Sequence, residues 1–197
     1  KNDFNSCQHH LASSVMPLLL MLGLLLPLSA GNVLAQTFNS QLGTGNCTGT
    51  SGMWTEPDCW DNTAGSGYPD DNTDLAVIQN GDVITISSDI TVGQVNINNG
   101  ELTASSPPST TLTIDDGGGE TGDLIIGSNG TASFALDAGF IGDFIQNLDI
   151  DGDIQNDGQF TGQDGAAVST VTFTSGGAQE ISGNVESSTS NFIVGNI

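Results

Sequence analysis

Residues 75–86 read LAVIQNGDVITI, and the fold turns on how this stretch is read. Two short β-branched runs, Leu75–Gln79 and Val83–Ser87, flank Asn80-Gly81. In the second run Ile84 and Ile86 fall on one side, and Val83, Thr85 and Ser87 on the other. Alternation with a period of two, bounded by turn residues, is the signature of a half-buried strand. Asn-Gly supplies a turn that accepts positive φ.

The same pattern returns along the chain as VGQVNINNGELTA (92–104), LIIGSNGTASFA (124–135) and LDIDGDIQNDGQF (148–160). Each copy reads as strand, Asn-Gly or Asp-Gly, strand. The turn glycines Gly81, Gly100, Gly130 and Gly158 recur at roughly 20 to 30 residues, the spacing of solenoid repeats. One such unit cannot bury its own apolar face, whereas stacked units share a continuous core. Further strands are expected at Gln94–Ile97, Glu101–Ala104, Thr111–Ile114, Asp123–Ile126, Thr131–Leu136, Asn147–Ile150, Gln159–Thr161, Thr170–Thr174, Gln179–Ser182 and Asn191–Val194. Leu136–Ile145 is the one further stretch with any helical character, and Gly139 and Gly142 weaken it. The predicted fold is all-β: a right-handed parallel β-helix with an irregular, disulfide-pinned N-terminal cap. The alternative is an antiparallel β-sandwich, because Asn-Gly turns also close hairpins.

Upstream of the repeats the character changes. Residues 16–30, MPLLLMLGLLLPLSA, form an apolar run too short for a comfortable membrane span. Val33-Leu34-Ala35 places small or apolar residues where a signal peptidase reads them. The expected organisation is a signal peptide over 1–35 cleaved after Ala35, an irregular cap over 36–72, and β-solenoid rungs over 73–197. The rungs are expected to continue in further chain.

Charge narrows the chemistry. The net charge is -22, with 23 acidic residues against one cation, Lys1. Both histidines, His9 and His10, lie in the same opening segment. Beyond residue 35 there is no lysine, arginine or histidine at all. A chain without cations releases no counterions from a phosphate backbone, so nucleic acid is excluded as a partner. Anionic membrane surfaces repel it, and no membrane insertion of the mature segment is expected. Serine and cysteine nucleophiles lack the base they need. The Gly117–Gly119 run has no basic residue beside it to hold a phosphate. Carboxylate-only chemistry, as in glycoside hydrolysis, survives in principle at Asp149, Asp151 and Asp153. Nothing else marks a catalytic cleft, and the expectation is that the chain is not an enzyme.

Three groups are candidate sites. Cys47 and Cys59, an even pair in an exported chain, read as a disulfide. Two thiolates with no histidine nearby leave a zinc ion short of ligands, which weakens the metal alternative. Asp149, Asp151, Asp153 and Asp157 place hard oxygen ligands within nine residues, so calcium is the candidate cofactor there. The loop lacks the EF-hand glycine and terminal glutamate. Asp70, Asp71 and Asp74, and Asp115-Asp116, are further acidic groups that serve equally well as turn caps. Trp54, Trp60 and Tyr68 form either an aromatic carbohydrate platform or a cover over the end of a β-core. Thr170, Thr172 and Thr174 line one strand face, as ordinary strand propensity allows.

Read in order, Trp54-Thr-Glu-Pro-Asp-Cys-Trp60, Tyr68-Pro-Asp-Asp71, Asp74-Leu-Ala-Val-Ile78 and Gly81-Asp-Val-Ile-Thr-Ile86 make an ordered opening. Val171-Thr-Phe173, Gly177-Ala-Gln-Glu-Ile-Ser-Gly183 and Asn191-Phe-Ile-Val-Gly-Asn196 make a closing part. This series resembles the N-terminal region of large secreted bacterial β-helix surface proteins, both autotransporter-like passengers and type IX-secreted multidomain proteins. The resemblance covers nearly the whole chain after residue 35, and it implies an exported solenoid within a long protein without implying a reaction. The two cysteines and the missing basic residues depart from the pattern. The expected role is a structural or adhesive segment of a secreted or cell-surface protein, with glycans or proteins at the cell surface as partners. Its alternatives are a calcium-dependent or carbohydrate-binding module, or the flank of a polysaccharide-degrading enzyme whose catalytic domain lies further along.

Overall fold

The computed structural model describes residues 35–43, 47, 49–61, 67–104, 109–117, 121–133, 147–161, 163–164, 167–168 and 170–183. The chain divides between Asn32 and Val33, and every element below belongs to the second unit. The segment 1–34, Leu136–Ile145 and Asn191–Val194 lie outside the described residues.

The described chain is all-β, with one 3₁₀ turn at Pro57–Cys59. In order, the strands are β1 (Thr37–Ser40), β2 (Ser51–Met53), β3 (Trp60–Asp61), β4 (Leu75–Ile78), β5 (Asp82–Ile86), β6 (Ile90–Val92), β7 (Gln94–Ile97), β8 (Gly100–Ala104) and β9 (Thr111–Ile114). They continue as β10 (Leu124–Ile126), β11 (Thr131–Ser133), β12 (Asn147–Ile150), β13 (Ile154–Asn156), β14 (Gln159–Thr161), β15 (Gln163–Asp164), β16 (Ala167–Val168), β17 (Thr170–Phe173) and β18 (Ile181–Gly183).

From β4 onward the strands visit three sheets in rotation. The first sheet runs β18-β13-β10-β7-β4-β1-β3, the second β14-β11-β8-β5-β2, and the third β17-β12-β9-β6. Only the small β15–β16 pair interrupts the rotation. All pairings within the three sheets are parallel except β1 with β3. An antiparallel sandwich would pair β4 with β5 across Asn80-Gly81. Instead β4 pairs β7 and β5 pairs β8, so the Asn-Gly sites turn the chain from one sheet to the next.

Register explains why these short strands hold. Ala76, Val95, Leu124, Ile154 and Ile181 lie side by side in the first sheet. Successive repeats are therefore 19, 29, 30 and 27 residues long. Gly52, Ile84, Leu102, Ala132 and Phe160 form the matching column of the second sheet. Ile90, Leu112, Leu148 and Val171 form that of the third, with Val92, Ile114, Ile150 and Phe173 beside them. Apolar residues from all three sheets join one buried cluster. A three-residue strand is marginal alone; in register it adds one apolar layer to a core already formed.

The turn glycines do a different job from the one expected. Of the four, only Gly81 takes positive φ, +77°, beside Asn80 at +62°. Gly100, Gly130 and Gly158 do not; they sit where successive repeats touch. A Cβ on Gly100 would come within 2.7 Å of the Asp82 carbonyl oxygen and 2.8 Å of Ile78 Cγ2. On Gly130 it would overlap the Ile97 carbonyl oxygen, and on Gly158 those of Gly127 and Gly130. Close backbone approach requires glycine at this corner.

The segment expected to be irregular contributes strands. β1 and β2 extend the first and second sheets, and β3 lies at the edge of the first. Their sequences, TFNS, SGM and WD, carry too few apolar residues to announce a strand. The Cys47–Cys59 disulfide is present, with Cα atoms 5.2 Å apart. It sits over Gly52, where an added Cβ would lie 2.5 Å and 2.7 Å from the two sulfurs. The bridge thus fills the place of the side chain that Gly52 lacks in its column.

Candidate functional site

The aromatic trio resolves as core. Trp54 and Trp60 are 0% and 2% exposed, and their rings meet edge to face with centroids 5.1 Å apart. Trp54 Nε1 donates to the Pro69 carbonyl oxygen at 2.7 Å, and Trp60 Nε1 to that of Trp54 at 2.7 Å. Both polar edges are satisfied, as buried indoles require. No ring face of either tryptophan is open for a sugar to stack on, so the carbohydrate platform is corrected to a cover over the core. Tyr68 packs half-buried against the same cluster.

The four aspartates of the calcium expectation are held separately. Asp149 projects from β12 between buried Leu148 and Ile150, in an outward row with Thr91, Thr113 and Thr172. Asp151 is half-buried, and its carbonyl oxygen accepts from Gln179 Nε2 at 2.7 Å. Asp153 Oδ1 accepts the Glu180 N–H at 2.7 Å, and Asp157 Oδ2 accepts from Gln155 Nε2 at 2.9 Å. Among the described residues, only Cys47, Glu56 and Cys59 bring three metal-ligating atoms within 4.8 Å of one another.

A different acidic row emerges on the outer face of the first sheet. Asp123 Oδ1 accepts the Asp153 N–H at 2.7 Å, and Asp153 Oδ1 accepts the Glu180 N–H in turn. Thr121 Oγ1 donates to Asp123 Oδ2. The Asp123 and Asp153 carboxylates therefore each satisfy a backbone donor at the start of the next repeat's strand. Together with Ile125, Gln155 and Ser182, these residues line an open groove of about 400 Å³. No basic side chain lies among the described residues to neutralise it. The groove presents three carboxylates beside the Gln155 amide and the Ser182 hydroxyl. Its sequence signal is an acidic residue directly before each apolar strand: Asp123-Leu124, Asp153-Ile154 and Glu180-Ile181.

Asp74, like Asp82, is a buried carboxylate; it is 3% exposed. Its Oδ2 accepts the N–H groups of Asp70 and Asp71, each at 3.2 Å, while Oδ1 is buried without a hydrogen-bond partner. Burial pushes its acidity weaker than the usual carboxylate; the two N–H bonds act against this, and the Asp71 and Asp70 charges add to it. The arrangement fastens the 70–73 turn to the start of β4.

Glu56 stands against the disulfide. Its Oε2 lies 3.3 Å from Cys59 Sγ and 4.0 Å from Cys47 Sγ, and accepts the Met53 N–H at 3.3 Å. Bridged sulfurs carry no proton, so the two sulfur approaches are contacts and the Met53 bond alone orients the carboxylate. An open depression of about 530 Å³ adjoins the bridge, lined by Cys47, Glu56, Pro57 and Asp58. Comparison with protein families, with curated proteins and with solved structures finds no match to this chain.

Proposed function

We propose that this chain is a non-catalytic structural or adhesive segment of an exported bacterial surface or extracellular protein. Its three sheets close into a right-handed parallel β-helix. One observation carries the reading: strands of 2–5 residues stack in register over successive repeats, around one apolar core. Such a stack makes a stiff rod from short strands. Parallel strands joined by a crossover in the same sheet are right-handed in nearly all proteins, which supports the hand. The lack of lysine, arginine and histidine after residue 35 supports a role built on burial and shape rather than turnover. Partners would be glycans or proteins at the cell surface.

Export is part of this proposal. The apolar run at 16–30 and the small residues before Gln36 support a signal peptide cleaved after Ala35. Expression in a bacterial host with mass spectrometry of the released protein tests it. A mature N-terminus at Gln36 is expected. A chain retained unprocessed in the cytoplasm refutes the export reading. Small-angle scattering of the released segment tests the rod, and a spherical envelope refutes it.

A further inference from the structure

Thr121 touches two groups at once, and its single hydroxyl proton serves one of them. Its Oγ1 donates to Asp123 Oδ2 and also lies 3.2 Å from Gln94 Oε1. With the proton on the Asp123 side, a lone pair of Oγ1 faces the Gln94 carboxamide. A hydroxyl set between a carboxylate and a carboxamide is an arrangement that stacking repeats does not require. We propose that Thr121 and Gln94 react to form an intramolecular ester crosslink between successive repeats, with Asp123 as the base and ammonia as the product that leaves.

The backbone holds the reacting side chains together. Val95 and Leu124 are register partners in the first sheet. The Gly122 N–H donates to the Gly93 carbonyl oxygen at 3.0 Å, and the Val95 N–H to that of Asp123 at 3.1 Å. Residues 121–123 are thus pinned against 93–95. Gln94 is 9% exposed, and its Nε2 donates to Asn96 Oδ1 at 3.0 Å, which turns Oε1 toward Thr121. Asp123 Oδ1 accepts the Asp153 N–H at 2.7 Å, which leaves Oδ2 for the hydroxyl. A nucleophile beside its base, with the base itself oriented by a third group, is the pattern of an activated hydroxyl. The carboxamide carbon lies one bond behind Oε1, so a change of side-chain torsion is what attack requires. Groups held at this range gain the large rate advantage of an intramolecular reaction. After residue 35 the chain has no lysine amine for an amide crosslink, and a hydroxyl is the nucleophile it offers instead.

The step balances without any co-reactant. Thr121 Oγ1 attacks Gln94 Cδ as Asp123 Oδ2 takes the hydroxyl proton. The carbonyl electron pair moves onto Oε1, giving a tetrahedral intermediate. When that pair returns, the bond from Cδ to Nε2 breaks, and Asp123 hands its proton to the departing nitrogen. One ester bond forms, one amide bond is lost, and one ammonia leaves; nothing is oxidised or reduced. Thr121 is exposed, so ammonia escapes to solvent, while the burial of Gln94 keeps water from the new ester. The reaction happens once per chain, and it needs neither export nor an adhesive partner. Its product ties β7 covalently to the segment that enters β10, so the two repeats can no longer peel apart there.

Peptide mapping of the folded full chain by mass spectrometry tests the proposal, after reduction of the disulfide. A glutamyl-specific protease cuts after Glu101 and Glu120, which separates Gln94 from Thr121 in the sequence. The expected result is that the two peptides stay joined, lighter together by one ammonia molecule. Mild alkali then parts them and leaves a glutamate side chain where the Gln94 amide was. Joining is absent from Thr121→Val and from chain held in urea, and it returns in Thr121→Ser. Asp123→Asn slows it by about a hundredfold or more. Circular dichroism melting establishes that each variant is folded before it is mapped. Peptides that separate at full mass from the folded wild-type chain show a hydrogen bond and no more, and overturn the proposal. Joining that persists in Thr121→Val overturns it as well, and an unchanged rate in folded Asp123→Asn removes the base and does the same.

Discussion

A Cβ added at Gly100 or Gly130 has nowhere to go, and the two sites differ by a calculable amount. At Gly100 it would lie 2.7 Å from the Asp82 carbonyl oxygen and 2.8 Å from Ile78 Cγ2, both inside the 3.0 Å that real Cβ atoms essentially never breach. A shift of a few tenths of an ångström relieves it, at an overpacking cost of about 1–2 kcal/mol. At Gly130 the Cβ would overlap the Ile97 carbonyl oxygen itself, and backbone cannot swing aside as a side chain can. Separating the repeats there also strains the bond from Gln159 N–H to the Gly130 carbonyl, now 3.0 Å. Overpacking and one weakened backbone hydrogen bond together cost about 3 kcal/mol. Gly176, with nothing within 4 Å of its added Cβ and no positive φ, is the control. The expected order of destabilisation is Gly176→Ala, then Gly100→Ala, then Gly130→Ala. For a unit of this size about 3 kcal/mol lowers the melting temperature by roughly 6–12 °C. Urea unfolding followed by the fluorescence of buried Trp54 and Trp60 reads the same ranking. If Gly130→Ala stays within about 0.5 kcal/mol of Gly176→Ala, the repeats do not meet at this corner and the reasoning fails.

Three further outcomes are expected. Cys47→Ser loses about 2–4 kcal/mol, the range for a bridge closing a short loop, and reductant should then leave its melting curve unchanged. Phe160→Ala removes the largest side chain of the second-sheet column and costs about 3–5 kcal/mol, measured by chemical denaturation. Asp74 holds its proton more tightly folded than unfolded, so its contribution to stability is complete below pH 3.8 and declines as pH rises through the raised folded value. Comparing wild-type and Asp74→Asn melting across that window isolates the decline; parallel curves would contradict the assignment.

The parallel β-architecture was legible because alternation survives even in short strands. Val83–Ser87 and Thr170–Thr174 announce one inward face each, and the structure pairs both in parallel. β6 and β13 were not legible: Ile90-Thr-Val92 and Ile154-Gln-Asn156 are too short to show a period. Without β6 the rotation through three sheets is invisible in the sequence. The Asn-Gly dipeptides were read for their turn freedom, and at Gly100 and Gly130 the operative constraint is contact with another repeat, which no local pattern encodes. The same limit governs the candidate sites. Cys47–Cys59 needed only parity and setting. The burial of Trp54 and Trp60 depends on partners such as Pro69, and Asp149 to Asp157 look clustered only while strand direction is ignored. Glu56 gave no local signal, because its meaning comes from where the 3₁₀ turn carries Cys59.

The disulfide's seat over Gly52 gives unfolding a direction. In a linear array each layer is held by its neighbours, so loss of structure starts at whichever side is least anchored. Here β2 lies within the loop that the Cys47–Cys59 bridge closes, while among the described residues no such crosslink holds β14 or β17. Amide protection against hydrogen exchange should therefore fade progressively from Ile84 toward Phe160, and cutting the bridge should erase that gradient before it melts the sheets.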